Sequence, residues 1–314
     1  MLRDPFSLPV YFVGLELVFL ACFALTIRDA VGRYRRGDRY AVFQWLVVFA
    51  YGVAMELLAF NAYPDYEHGR FTVALYHQRL PLYVTFVYVV FHYTGIQLVA
   101  ARGLRPLAAA VVTGLAIVLL DVPFDIVGAD ARWWIWHPSS HDVAQRWLGV
   151  PLTSYEWYLL FGAILAWLVR ALRPRIERLP LPAYLALAPL VAVAVIVLGI
   201  VGFLPFHALE ALGLPDGVLV AAHASLALGV ALWARSTSVA RAPKGLFVIP
   251  VVLATWHVAV LALLWSRGEV AGAPGKLAVI VVATSAVTLL FLGQASFGRQ
   301  NPSATRTAMR PPAF

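Results

Sequence analysis

A 314-residue chain with one cysteine can close no disulfide within itself, and Cys22 lies inside the first long apolar run. The same scarcity removes CxxC metal and redox chemistry. Lysine is nearly missing, with Lys244 and Lys276 alone, and charged residues make up only 13% of the sequence. That is too little charge to clothe a soluble surface of this size. No Walker A run, no dinucleotide fingerprint after a strand and no HExxH helix occurs, so those routes to nucleotide or zinc-protease chemistry have no basis here. No internal repeat stands out, which counts against an inverted-repeat transporter.

What the chain has is apolar length. It is 61% hydrophobic, its mean hydropathy is +0.79, and apolar runs of about twenty residues recur, as bilayer-crossing helices require. The expected fold is an all-α polytopic membrane protein of nine spans, near 9–27, 40–62, 80–101, 106–128, 152–172, 181–204, 217–234, 246–266 and 276–297. The first span starts MLRDPFSLPV, lacks a clean small-x-small cleavage site, and reads as a retained helix.

Charge sets the orientation. With the N-terminus outside and the C-terminus inside, the segments 28–39, 101–105, 170–178, 235–244 and the tail hold most of the 24 basic residues on the cytoplasmic side. The pI near 9.8 is therefore a topology signal, and no nucleic-acid partner is expected. Residues 1–298 read as one transmembrane domain of the cell membrane. Within it, 1–172 is a polar-laced half and 180–298 an Ala/Val/Gly-rich scaffold half that permits close helix approach. Residues 299–314 read as a disordered tail.

The acids carry the functional signal. Glu16, Glu56, Asp121 and Asp125 fall within spans, where each ionised carboxylate costs about 2.5–3.5 kcal/mol near the bilayer centre. Turning spans one, two and four toward a shared interior avoids that cost. Asp121 and Asp125 are four residues apart, so they share a helix face, with Pro123 between them removing a backbone donor. Two carboxylates this close and partly desolvated do not both ionise readily, which leaves a neutral acid able to donate a proton. The bland alternative is that these acids only tie helices together through Arg79, Arg132 or tyrosine hydroxyls.

Around them the sequence places polar and aromatic groups. Asn61, Arg79 and Tyr83 flank the end of span two and the start of span three. The long segment from Asp130 to Tyr158 carries Trp133, Trp134, Trp136, Trp147, Tyr155, Trp157 and Tyr158. These read either as an interfacial belt or as a lid whose aromatic faces meet a hydrophobic or cationic ligand. Metal binding by His137, His141, His68 and His77 is an alternative, weakened because Pro138 breaks the helical geometry that His-x3-His needs. No other cofactor is expected. His92, His223 and His257 read as hydrogen-bonded interior histidines.

The runs DVPFD (121–125), WWIWH (133–137) and GVPLTSYEWY (149–158) resemble an uncharacterised family of multi-pass membrane proteins, and more distantly the integral-membrane carotenoid hydratases. In the hydratases an acid–proline segment, a Gly/Trp-rich loop and a G-V-P-x-x-N helix entry recur. Here Thr153-Ser154-Tyr155 stands where that pattern has Asn. The resemblance implies proton-initiated chemistry on an isoprenoid double bond, as in carotenoid biosynthesis. On this expectation Asp121 or Asp125 is the acid and the other its relay. Glu56 and Asn61 orient water, and Trp134, Trp136 and Tyr155 face the cation. The rivals are a proton-coupled transporter and a metal-dependent lipid hydrolase using the loop histidines. The oligomeric state is not readable from the sequence.

Overall fold

The computed structural model describes residues 1–62, 66–137, 141–234 and 245–297, with the backbone alone for His141 and 290–297. The expected tail, 299–314, lies outside the described residues. Long helices account for most of the chain: α1 (Val10–Arg35), α2 (Tyr40–Ala62), α3 (Val84–Ala100), α4 (Pro106–Ala131), α5 (Leu152–Ile176), α6 (Leu181–Ala211), α7 (Asp216–Trp233), α8 (Val248–Ser266) and α9 (Ala273–Phe297). Among the described residues seven of these, all but α3 and α9, are long and apolar enough to cross a membrane; α3 and the stretch Ala273–Leu289 are shorter apolar helices. The chain is an all-α helical membrane protein. Exposed leucines and valines such as Leu185, Leu190, Val197, Leu226 and Val282 give the outer helices the apolar exterior that lipid demands.

α4 is the central helix. It packs on α3, α5, α7, α8 and α9, and 72% of its most apolar window is buried. It runs unbroken through Pro123. Its closest neighbour is α5, because two glycines face each other there. A Cβ on Gly114 would stand 2.2 Å from the Leu159 carbonyl oxygen, and a Cβ on Gly162 would stand 3.3 Å from the Gly114 Cα. Small residues let the backbones touch, and that contact fixes which side chains further along the two helices meet.

At one end of the bundle the connecting segments fold into a cap containing short antiparallel ladders, which the run-length reading did not anticipate. β1 (Tyr66–His68) pairs with β4 (Trp134–Trp136), Tyr66 opposite Trp136 and His68 opposite Trp134. β2 (Ala74–Leu75) pairs with β3 (Leu80–Pro81), and β5 (Arg146–Trp147) with β6 (Val150–Pro151). Leu148 and Gly149 both take positive φ, 53° and 93°, the two-residue turn whose twist suits a hairpin. Arg132, also at positive φ, ends α4 and turns the chain back so that the Trp133 N–H meets the Gly128 carbonyl at 3.0 Å. Glu16 is taken up by this cap: its carboxylate accepts the backbone N–H of Thr72 at 3.0 Å and of Val73 at 3.4 Å. It therefore pins the cap to α1 instead of joining the other acids.

The other end is basic and is held by polar contacts among Arg33, Asp38, Arg173 and Glu177, and by the Tyr40 hydroxyl donating to the Val169 carbonyl. Gly114→Ala should lower the thermal midpoint of the detergent-solubilised protein by the equivalent of about 1–3 kcal/mol, since the added methyl meets backbone. Gly229→Ala, where nothing lies within 4 Å, should leave it unchanged.

Candidate functional site

Under the cap lies a cavity of about 150 Å³, walled by α2, α3, α4, α5 and the β1–β4 ladder. The lining residues all fall between 51 and 158. Of the four acids expected to share an interior, two line the same chamber: Glu56, from α2, and Asp125, from α4.

Glu56 is 5% exposed and is held from two sides. The Tyr88 hydroxyl donates to Oε1 at 2.8 Å, and His68 Nε2 stands 3.3 Å from Oε2. The Tyr66 hydroxyl is 3.0 Å from the same His68 nitrogen. β1 delivers both side chains, because alternate strand residues share a face. Burial, and then the Glu56 carboxylate, push the Tyr66 phenol well above its ordinary range, so it keeps its proton. Asp125 accepts the Ser154 Oγ–H at 3.0 Å. Asp121 sits one turn deeper, fully buried and off the cavity wall. Its polar neighbours are Asp125 and the Tyr158 hydroxyl.

The apolar wall is aromatic. Trp134 packs on Phe124 with ring centres 4.6 Å apart, and Trp136 on Tyr66 at 4.6 Å. Tyr83, Trp134 and Trp136 line the chamber as expected, and their polar atoms (the Tyr83 hydroxyl and both indole N–H groups) have no partner. Trp157 and Tyr158 complete the wall from α5. α3 widens beside the chamber into a π-helical turn, Val89–Tyr93, a distortion that often accompanies functional sites. It places His92 against Tyr51, at 5.4 Å between rings, and Tyr158, at 6.1 Å.

Three residues expected to bind substrate lie elsewhere. Asn61 is five residues beyond Glu56 and so falls on another face of α2. It is exposed, donating to the Leu57 carbonyl and accepting from Tyr76. Arg79 donates to the Phe60 carbonyl at 3.0 Å and covers the Phe60 ring. Tyr155 turns away from the chamber into a small cluster with Val122, Ile126 and Val150, and its hydroxyl meets the Trp147 carbonyl. Ser154, Trp157 and Tyr158, spaced i, i+3, i+4, form the cavity face of α5. That periodicity is the signal that finds them once the helix start at Leu152 is fixed.

Among the described residues, the histidines expected to bind metal do not gather at one point. His68 is engaged by Glu56, His137 pairs at the surface with Glu67 at 3.2 Å, and His77 sits in an exposed turn at positive φ. The side chain of His141 lies outside the described residues. Of the three dispersed histidines, His223 pairs with buried Glu156 at 2.8 Å and His92 Nδ1 lies 3.1 Å from the Tyr88 carbonyl. His257 differs from the expectation: it is wholly buried against Phe124 and Trp133, and neither ring nitrogen has a partner.

A family model matches residues 6–182, more than half of the chain and all of the cavity wall. The chain belongs to the family described as Domain of unknown function (DUF7802). Comparison with curated proteins and with solved structures finds no match.

Because Asp121 is fully buried beside a second carboxylate, Asp125, Asp121→Asn should raise the thermal midpoint, by the equivalent of roughly 1–3 kcal/mol, as the amide carries no charge and can donate to Asp125. Glu56→Ala should lower it by a similar amount, since Tyr88 and His68 lose their acceptor. A fall for Asp121→Asn would mean that the carboxylate is held after all.

Proposed function

We propose that the chain crosses the cell membrane nine times, with α3 and α9 also spanning, its N-terminus outside and its cap facing the non-cytoplasmic side. The basic end of the bundle supports that orientation. Within this frame the chamber is proposed to be the active site of a membrane enzyme performing acid–base chemistry on an isoprenoid or other lipid alkene, of hydration or cyclisation type.

One observation carries the reading. Carboxylates from two different helices, Glu56 and Asp125, line a single buried chamber whose remaining wall is largely aromatic. In the proposed sequence Asp125 delivers a proton to an alkene carbon, and the π electrons form the new C–H bond. The adjoining carbon becomes cationic and is faced by Trp134, Trp136 and Tyr66. Water adds to that carbon and surrenders a proton to Glu56. The proton taken by Glu56 returns to Asp125 through a further water in the chamber that both line, and Asp121, one turn below, shares the Asp125 proton. A buried neutral carboxylic acid is the group such a step needs.

A second reading has one feature in its favour. Polar groups continue toward the basic end, where Gln97 donates to Gln44 at 3.1 Å and the Tyr93 hydroxyl to Asp29 at 2.8 Å. These would serve a proton-coupled transporter. The two readings separate in D2O. Membranes carrying the enzyme should place deuterium on carbon in an isoprenoid or lipid alkene, detected by mass spectrometry. Asp125→Asn should reduce the incorporation by about 100-fold or more. No carbon-bound deuterium above Asp125→Asn membranes, together with proton flux into liposomes that Asp125→Asn abolishes, would favour transport.

A further inference from the structure

At the edge of the chamber, where Asp142 lines it, three potential ligands meet that the acid–base reading does not use. His207 and Glu210 are three residues apart in the last turns of α6, and His207 Nδ1 stands 3.0 Å from Glu210 Oε2. Asp142, in the helical turn His141–Ala144 of the cap, brings in a second carboxylate. One donor atom from each of the three lies within 4.8 Å of the others.

We propose that Asp142, His207 and Glu210 form a binding site for a divalent transition-metal ion of the zinc type. A helix-surface ion pair between His207 and Glu210 needs no third member and contributes little. Here the third arrives from a segment far away in sequence. Zinc holds imidazole and carboxylate ligands at about 2.0–2.2 Å, so donors gathered this closely need only small side-chain rotations to enclose it.

Both sides of the site are held in place. The His207 ring packs against Phe203 at 5.0 Å and Phe206 at 5.9 Å between ring centres. The Thr153 hydroxyl donates to the Asp142 carbonyl at 2.5 Å. Ligands fixed by their surroundings bind metal better than free ones. Three protein ligands leave a fourth position for water or a substrate oxygen, the open arrangement of catalytic zinc. Asp142 also lines the chamber, and Trp157 bridges the two places by packing on Phe203 at 5.9 Å. An ion held here therefore stands at the chamber's edge. It would polarise the oxygen of an ester or phosphate headgroup whose tail reaches inward. The His207 side chain is 41% exposed, so the site can be loaded from solution.

The test reads metal directly and needs no substrate, so its outcome is independent of the acid–base reading. Full-length protein in detergent is stripped with chelator, reloaded with zinc or with manganese, desalted and analysed by mass spectrometry for metal. About one zinc per chain is expected for the unaltered protein. His207→Ala, Asp142→Asn and the isosteric Glu210→Gln should each weaken zinc by at least about 10-fold, while His77→Ala and His137→Ala should not. Size-exclusion profiles verify that each variant is folded, and any one folded ligand variant decides the matter. Zinc retention unchanged by that variant, or no stoichiometric zinc on the unaltered protein, would overturn the site.

Discussion

An ionised carboxylate has no stable place in hydrocarbon unless something donates to it, and this requirement organises the interior. Four acids meet it with a dedicated partner away from the chamber wall. Glu16 takes two backbone N–H groups of the cap, Asp29 the Tyr93 hydroxyl, Glu156 the His223 ring, and Asp130 the Lys276 ammonium at 2.6 Å. Each of these bonds also ties one segment to another, which is the work of a structural acid. Glu56 and Asp125 differ because their partners leave them lining an open space, and Asp121 differs because its nearest polar group is a second carboxylate, Asp125. Two carboxylates buried side by side repel when both are ionised, an arrangement that architecture alone does not call for.

The helices were legible because a bilayer imposes one length and one polarity on every segment that crosses it. Each expected span lies within a few residues of an observed helix, and the largest differences are extensions past the apolar run, as where α1 continues to Arg35 and α6 to Ala211. The cost of burying charge likewise predicted that Glu56 and Asp125 would turn inward together. The sequence was silent on contacts that depend on the connecting segments. His68 reaches Glu56 only because β1 folds back on β4, and strands of two or three residues leave no alternation to detect. Asn61 and Tyr155 were displaced by helix phase, since five residues or one residue along a helix rotates a side chain off the face of its neighbour. Asp142 stands near His207 and Glu210 of α6, more than sixty residues away, a proximity that no local spacing reveals.

The expected division into a polar-laced half and a scaffold half is one of composition. The chamber wall itself comes from the first 158 residues. Later helices nevertheless reach the capped end: α7 through His223, α8 through His257 tilted against Phe124 and Trp133, and α6 through His207 and Glu210. Apolar composition therefore describes most of their surface but not the few polar positions where they meet α4, α5 and the cap. Those positions are isolated within long runs of Ala, Val and Leu, so a window average conceals them.

Chamber size constrains the proposed chemistry further. A void of about 150 Å³ matches one known to admit benzene, which is room for roughly one isoprenoid unit and not for a folded polyene. Cyclisation of a long chain needs much of that chain enclosed, because the reacting ends must be brought together before the cation forms. Protonation at a chain terminus needs only the last double bond inside, with the remainder lying in lipid or along the cap. Among the reactions an acid beside aromatic faces can perform, the dimensions therefore favour water addition at the end of a chain. The substrate's other end then lies outside the chamber, where the Asp142 carboxylate and its neighbours on α6 are within reach.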